Sequence, residues 1–286
     1  PLGVTVNGAY EPISANVKVY GAIVNAESCS YDPVRKLIVV PNRGADQNQI
    51  PNDGFVSLLN HDGSVHTSRW IGVNRNGLIL NQPFGSEVFK GKLYLADRDG
   101  GTSPTDRSVS VIRMFDMATG APAGEIRSPE STGLNDIAIA EDGTIYGSQT
   151  GAPMRIFKIT PDGKTSVFVE GEVLKMPNGV AMDNDGNIVV LNMGTDEVLT
   201  FSKDGKLAKI ERAAMPGNDG LVIMKDGTKY ISSVQRGGVT RLRPNGQADL
   251  IARGIPSAAS MCFDPDANQL VIPMNPNNAV ALVKLN

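Results

Sequence analysis

The sequence predicts an all-β protein, a six-bladed β-propeller with four-stranded blades, and three observations carry that prediction. Gly is abundant, at 31 of 286 residues, and short Val/Ile/Leu/Tyr runs alternate with Asp-Gly and Asn-Gly turns. No long stretch holds the 3.6-residue period of a helix. The third observation is an internal repeat: "ESCSYDPVRKLIVV", "NDIAIAEDGTIYGS", "NGVAMDNDGNIVVL" and "DGLVIMKDGTKYIS" each run polar residue, apolar strand, turn, apolar strand.

Counting fixes the register of that repeat. Glu27 lies ten residues before Leu37, Asn135 ten before Ile145, Asn178 ten before Ile188, and Asp219 ten before Lys229. "PFGSEVFKGKLYLAD" fits with a shortened turn and "AASMCFDPDANQLVIP" with one extra residue, which makes six units. The later units recur at about forty residues, the period of a propeller blade. The first two are lengthened by polar insertions, "RGADQNQIPNDG" and "RDGGTSPTDRS", suited to a rim over one end of a central channel. From about Arg253 onward there is room for only three strands, so the strand in "NVKVYGAIV" is expected to complete the sixth blade and close the ring. A β-sandwich is the competing topology, but it does not require one polar-to-strand spacing six times. The expected organisation is a single domain over residues 1–286, since all-β propellers reach this length as one unit.

Composition narrows the function. A formal charge of -3, a pI near 5.5 and 5% aromatic residues offer neither a basic face nor stacking platforms for nucleic acid. No apolar run is long enough to cross a bilayer as a helix, and no signal-peptide core is visible. The expected partner is a small molecule, with no nucleic acid and no membrane; compartment (periplasmic, secreted or cytoplasmic) and oligomeric state stay open. Cys29 and Cys262 lie in short apolar segments without CxxC spacing and read as buried free thiols. The two histidines, His61 and His66, flank the "HDGS" turn and read as part of an exposed hairpin.

In a propeller the innermost strands line the channel, so the first position of each unit is where side chains converge. That position holds Glu27, Asn135, Asn178 and Asp219, with Phe84 and Ala259 in the second and sixth units. Two buried carboxylates with nothing to offset them are costly, and a hard divalent cation resolves the cost. Oxygen ligands without His or Cys favour Ca2+, with Mg2+, Mn2+ or Zn2+ as alternatives and no organic cofactor implied. The conspicuous "DNDGN" cluster at residues 183–187 is no EF-hand, because Gly at position six puts Ala181 at position one and Asn192 at position twelve. It reads as a hairpin turn.

Glu27, Asn135 in "LND", Asn178 in "PNG" and Asp219 in "NDG" resemble the calcium-binding set of the SMP-30/gluconolactonase/LRE family of six-bladed propellers, which is similar to the squid-type diisopropylfluorophosphatase. The likeness covers all six units, and its most specific part is "MPNGVAMDNDGNIVVLN". It implies a metal-dependent hydrolase of lactones or related esters, with some relatives acting on organophosphates. On that reading Asp219 is both ligand and base, or nucleophile in the phosphatase-like variant, and Asp136 is a second candidate base unless strand alternation turns it away. Gly133 stands where sugar-lactone hydrolases of the family carry Arg, which weighs against an aldonolactone substrate. Rim residues that could contact substrate instead are Arg98, Asp99, Gln149, Asn192, Arg236 and Asn275. A non-catalytic binding propeller with structural calcium, and an isomerase or lyase on the same scaffold, are the alternative readings.

Overall fold

The structure is a computed structural model, and it describes residues 2–4, 10–44, 51–72 and 77–285. Among these residues the only regular elements are strands, so no helix long and apolar enough to cross a membrane is found. A short pair, β1 (Leu2–Val4) and β2 (Tyr10–Pro12), precedes β3 (Val17–Tyr20). The first four-stranded sheet holds β4 (Ser30–Asp32), β5 (Leu37–Asn42), β6 (Phe55–Leu59) and β7 (Val65–Gly72). The second holds β8 (Ser86–Phe89), β9 (Lys92–Asp99), β10 (Val109–Asp116) and β11 (Pro122–Ser128). The third holds β12 (Ile137–Ile139), β13 (Ile145–Gln149), β14 (Arg155–Ile159) and β15 (Thr165–Glu170).

The fourth sheet is β16 (Pro177–Met182), β17 (Ile188–Asn192), β18 (Glu197–Phe201) and β19 (Leu207–Arg212). The fifth is β20 (Asn218–Ile223), β21 (Lys229–Ser233), β22 (Gly238–Leu242) and β23 (Ala248–Ala252). The sixth runs β24 (Cys262–Asp264), β25 (Gln269–Pro273), β26 (Val280–Lys284) and then β3, so the N-terminal strand does complete it. Six four-stranded antiparallel sheets place the chain in the class the repeat predicts, the six-bladed β-propeller. The counted register also holds: β5, β13, β17 and β21 begin at Leu37, Ile145, Ile188 and Lys229.

Burial follows position within each sheet. The second strands are buried along their whole length in β5, β13, β17, β21 and β25, and Lys229 is the one charged residue in these five strands. The outer strands β11, β15 and β19 are mostly exposed or half-buried, and each carries at least one charged residue.

Contacts group the chain into two compact units. One comprises residues 1–17 and 135–261, which contain the third, fourth and fifth sheets. Its cores gather Tyr146, Ile156, Val190 and Phe201 around one centre and Val189, Leu191, Ile231 and Leu242 around another. The other comprises residues 18–134 and 262–286, with the first, second and sixth sheets and cores built on Leu58, Leu95 and Phe115 and on Ile38, Leu59 and Val271.

Two expectations need comment. Cys29 and Cys262 are not free thiols: they form a disulfide, with Cα atoms 5.4 Å apart across a sequence separation of 233. Each cysteine belongs to the first segment of its unit of the repeat, and β24 packs on β4, so the sixth sheet brings Cys262 to Cys29. Separation along the chain hid the pairing. The insertions both link a second strand to a third, β5 to β6 and β9 to β10; residues 45–50 of the first lie outside the described residues.

Candidate functional site

The candidate residues fall in both units and are best described unit by unit. In the unit of residues 135–261, Asn178 and Asp219 occupy matching irregularities in β16 and β20. Pairing of β16 with β17 slips between Pro177 and Val180, and pairing of β20 with β21 slips between Asn218 and Leu221. Such a bulge re-aims the side chains it contains. The glycine after each candidate has a steric cause. A Cβ on Gly179 would lie 2.1 Å from the Asp219 carbonyl oxygen, and one on Gly220 would lie 2.6 Å from the Met261 nitrogen. "PNG" and "NDG" are therefore close-approach motifs between neighbouring strands, not reverse turns.

Both side chains are buried, Asn178 at 2% exposure and Asp219 at 3%. Asn178 Nδ2 donates to Asp219 Oδ2 at 3.1 Å and lies 3.7 Å from the Met193 sulfur. Among the described residues, the buried Asn178 Oδ1 has no hydrogen-bond partner, and neither side-chain polar atom of Asn218, which precedes Asp219, has one. Asn135 is half-buried just before β12, where its backbone N–H donates to the Ser148 carbonyl at 2.7 Å. Its Nδ2 donates to Thr150 Oγ1 at 3.1 Å, and that hydroxyl donates in turn to the Pro177 carbonyl at 2.7 Å. This relay ties Asn135 to the start of β16.

Asp136 points elsewhere. Its Oδ2 accepts the Val180 backbone N–H at 3.0 Å, so the carboxylate clips β12 to β16. Among the rim candidates of this unit, Asn192 is fully buried and bonds the Lys175 N–H and the Val173 carbonyl. Gln149 donates to the Pro153 carbonyl at 2.7 Å, while Arg236 is exposed.

In the other unit Glu27 is 5% exposed, held beside Ala26, whose backbone bridges to both Asn42 and Asn275. Its Oε2 accepts from Arg43 Nη1 at 3.2 Å and from Asn275 Nδ2. Burial pushes the Glu27 carboxyl above the usual carboxylate range, opposed by the Arg43 guanidinium. Arg43 lies over the Phe84 ring at 4.4 Å and Arg98 over the same ring at 5.0 Å. Arg98 also donates to Gln82 Oε1, and its Nη1 would lie 3.7 Å from a Cβ at Gly133. Burial, and next the nearby Arg43, hold the Arg98 guanidinium below its ordinary range. Asp99 accepts from Arg113 and Arg127 and from Asn81 Nδ2 at 2.9 Å.

Arg43 is the residue that sequence reasoning missed. It follows the end of β5 as Arg98 falls at the end of β9, so the rule that selected the rim residues would also have selected it. Among the described residues no three His, Cys, Asp or Glu side chains come together as a metal site. A cation held here would rest on amide oxygens as well as carboxylates, which is the donor chemistry of a hard ion. The histidines stand apart from all of this: His61 Nδ1 bonds the buried Asp264 carboxylate at 2.9 Å, in the turn after β6.

Residues 87–274 match the model of the family described as "SMP-30/Gluconolactonase/LRE-like region". Among solved structures the chain is similar to a gluconolactonase from Xanthomonas campestris, with 19% identity, a TM-score of 0.68, and coverage of 100% of this chain and 95% of that one. It is also similar to virginiamycin B lyase from Staphylococcus aureus, with 13% identity, a TM-score of 0.63, and coverage of 94% and 100%. At these identities the likeness is one of fold. No curated protein matches the chain by sequence.

Proposed function

Because the chain belongs to the SMP-30/gluconolactonase/LRE-like family, we propose that it is a divalent-metal-dependent hydrolase of a lactone or a related ester. The observation that carries this reading is the buried Asn178 Oδ1, an acceptor that no donor among the described residues satisfies. Leaving such a group unpaired costs roughly 1–3 kcal/mol. The neighbouring carboxylate of Asp219 makes a cation the ligand that suits both.

Asn178 and Asp219, with Asn135 beside them, would hold the ion, Ca2+ before Mg2+, Mn2+ or Zn2+. When bound, such an ion supplies Lewis acidity at a carbonyl oxygen. The protein's own groups do the rest. The Asn178 amide fixes one oxygen of Asp219, so the carboxylate is oriented and able to take the proton of an attacking water. Asp136, engaged by the Val180 N–H, serves as a positioning residue that sets β16 against β12. A lyase or isomerase reading, in which the same carboxylate removes a proton from carbon, is favoured by the fold likeness to virginiamycin B lyase.

The deciding experiment is metal analysis joined to turnover of γ- and δ-lactones, aryl esters and a phosphotriester, with and without chelator. Incorporation of oxygen-18 from water into product marks hydrolysis, and an unsaturated product without it marks elimination. Absence of bound metal at saturating Ca2+ would overturn the proposal. Calcium titration of Glu27→Gln beside Asn178→Ala tests separately whether Glu27 joins the ligand set.

A further inference from the structure

The unit of residues 18–134 and 262–286 holds a pair of guanidinium groups that takes no part in the proposed hydrolytic step. Two guanidinium groups, Arg43 and Arg98, pack on the single ring of Phe84, at 4.4 and 5.0 Å from its centroid. The Glu27 carboxylate lies on Arg43, the Asp97 carboxylate, shared with Arg113, acts on Arg98, and Gln82 and Asn275 supply neutral amides. Bringing two like charges onto one half-buried ring opposes folding, and a stacked guanidinium is well suited to forked recognition of a carboxylate. Arg43 Nε is buried with no acceptor among the described residues, although Nη1 of the same group is satisfied by Glu27. Gly133, next to Arg98 Nη1, carries no side chain.

We propose that Arg43 and Arg98, braced on Phe84, form a recognition site for a small-molecule carboxylate, held through charge-assisted hydrogen bonds. The statement does not rest on the hydrolase reading.

Glutarate and its neutral dimethyl ester are titrated calorimetrically into the whole protein, wild type, Arg98→Gln and Arg98→Lys. Glutarate is expected to bind and the diester not to; Arg98→Gln should weaken glutarate by about tenfold, with part of the loss recovered in Arg98→Lys. Unchanged circular dichroism of both variants guards against misfolding. If glutarate fails to bind, or binds all three proteins equally, the proposal is wrong.

Discussion

Asn178 donates its side-chain amide to Asp219 Oδ2 at 3.1 Å, joining the first strand of the fourth sheet to the first strand of the fifth. The bond commits the amide nitrogen, and the amide oxygen has no partner among the described residues. Asn178→Ala should therefore lower Ca2+ affinity by about tenfold or more, since an oxygen ligand and an orienting donor are lost together. Asp219→Asn keeps the shape but removes the charge, and should abolish both tight Ca2+ binding and turnover while the far-ultraviolet circular dichroism is unchanged. Retained turnover in that variant would exclude Asp219 as the base.

Gly179 is constrained by its neighbour, not by its own backbone angles. An alanine there would press its methyl into the Asp219 carbonyl at 2.1 Å, and backbone cannot swing aside as a side-chain tip can. Gly179→Ala should cost about 3 kcal/mol, a typical overpacking penalty, and lower the midpoint of thermal unfolding by several degrees. Gly151→Ala is the control: nothing lies within 4 Å of the added methyl, and its unfolding should match wild type.

Glu211 governs part of the acid stability. Burial alone would raise its carboxyl, but Lys209 at 2.8 Å and Lys229 at 2.9 Å outweigh that and hold it below the usual range. A carboxyl with a lowered folded-state pKa contributes stability above its unfolded value of 4.5, and that contribution is lost as pH falls through the folded value. Denaturant unfolding between pH 7 and pH 3 should show this loss in wild type and a shallower slope in Glu211→Gln. Equal slopes would show that the two lysines do not act through Glu211.

The Cys29–Cys262 bridge closes a loop of 233 residues. In the chain-entropy account so long a loop is worth about 5 kcal/mol. Cys29→Ser with Cys262→Ser should unfold at clearly lower denaturant than wild type, and reductant should move wild type to the same midpoint. Labelling of unfolded, unreduced protein with a thiol reagent should find no free thiol. Such bridges persist in oxidising compartments.

Much of the fold could be read from the sequence because turns and apolar runs are local signals. The ten-residue count from Asn178 to Ile188 captures a strand and its hairpin, and "DNDGN" is the turn it predicts, with Asp183 capping the N–H groups of Asp185 and Asn187. What escaped depends on contacts between segments distant in sequence. The disulfide needs the last sheet to meet the first, and no spacing motif announces that. The real reason for Gly179 and Gly220, a neighbouring backbone within bonding distance of a methyl, belongs to two strands at once. Arg43 needed only the register already in hand, applied to the first unit as it was to the others. Asp136, adjacent to a candidate ligand in sequence, is directed by strand alternation to the Val180 N–H.

The sixth sheet takes three strands from residues 262–284 and its outer strand from residues 17–20. During translation β3 is made before every other strand of the six sheets, and its partner β26 after them. A nascent chain must therefore carry β3 with no partner of its own sheet while the rest is synthesised, exposing a hydrogen-bonding edge that other chains on the same polysome could capture. Assembly of that sheet waits on the synthesis of β26, and the disulfide to the segment before β4 waits on Cys262 at the start of β24.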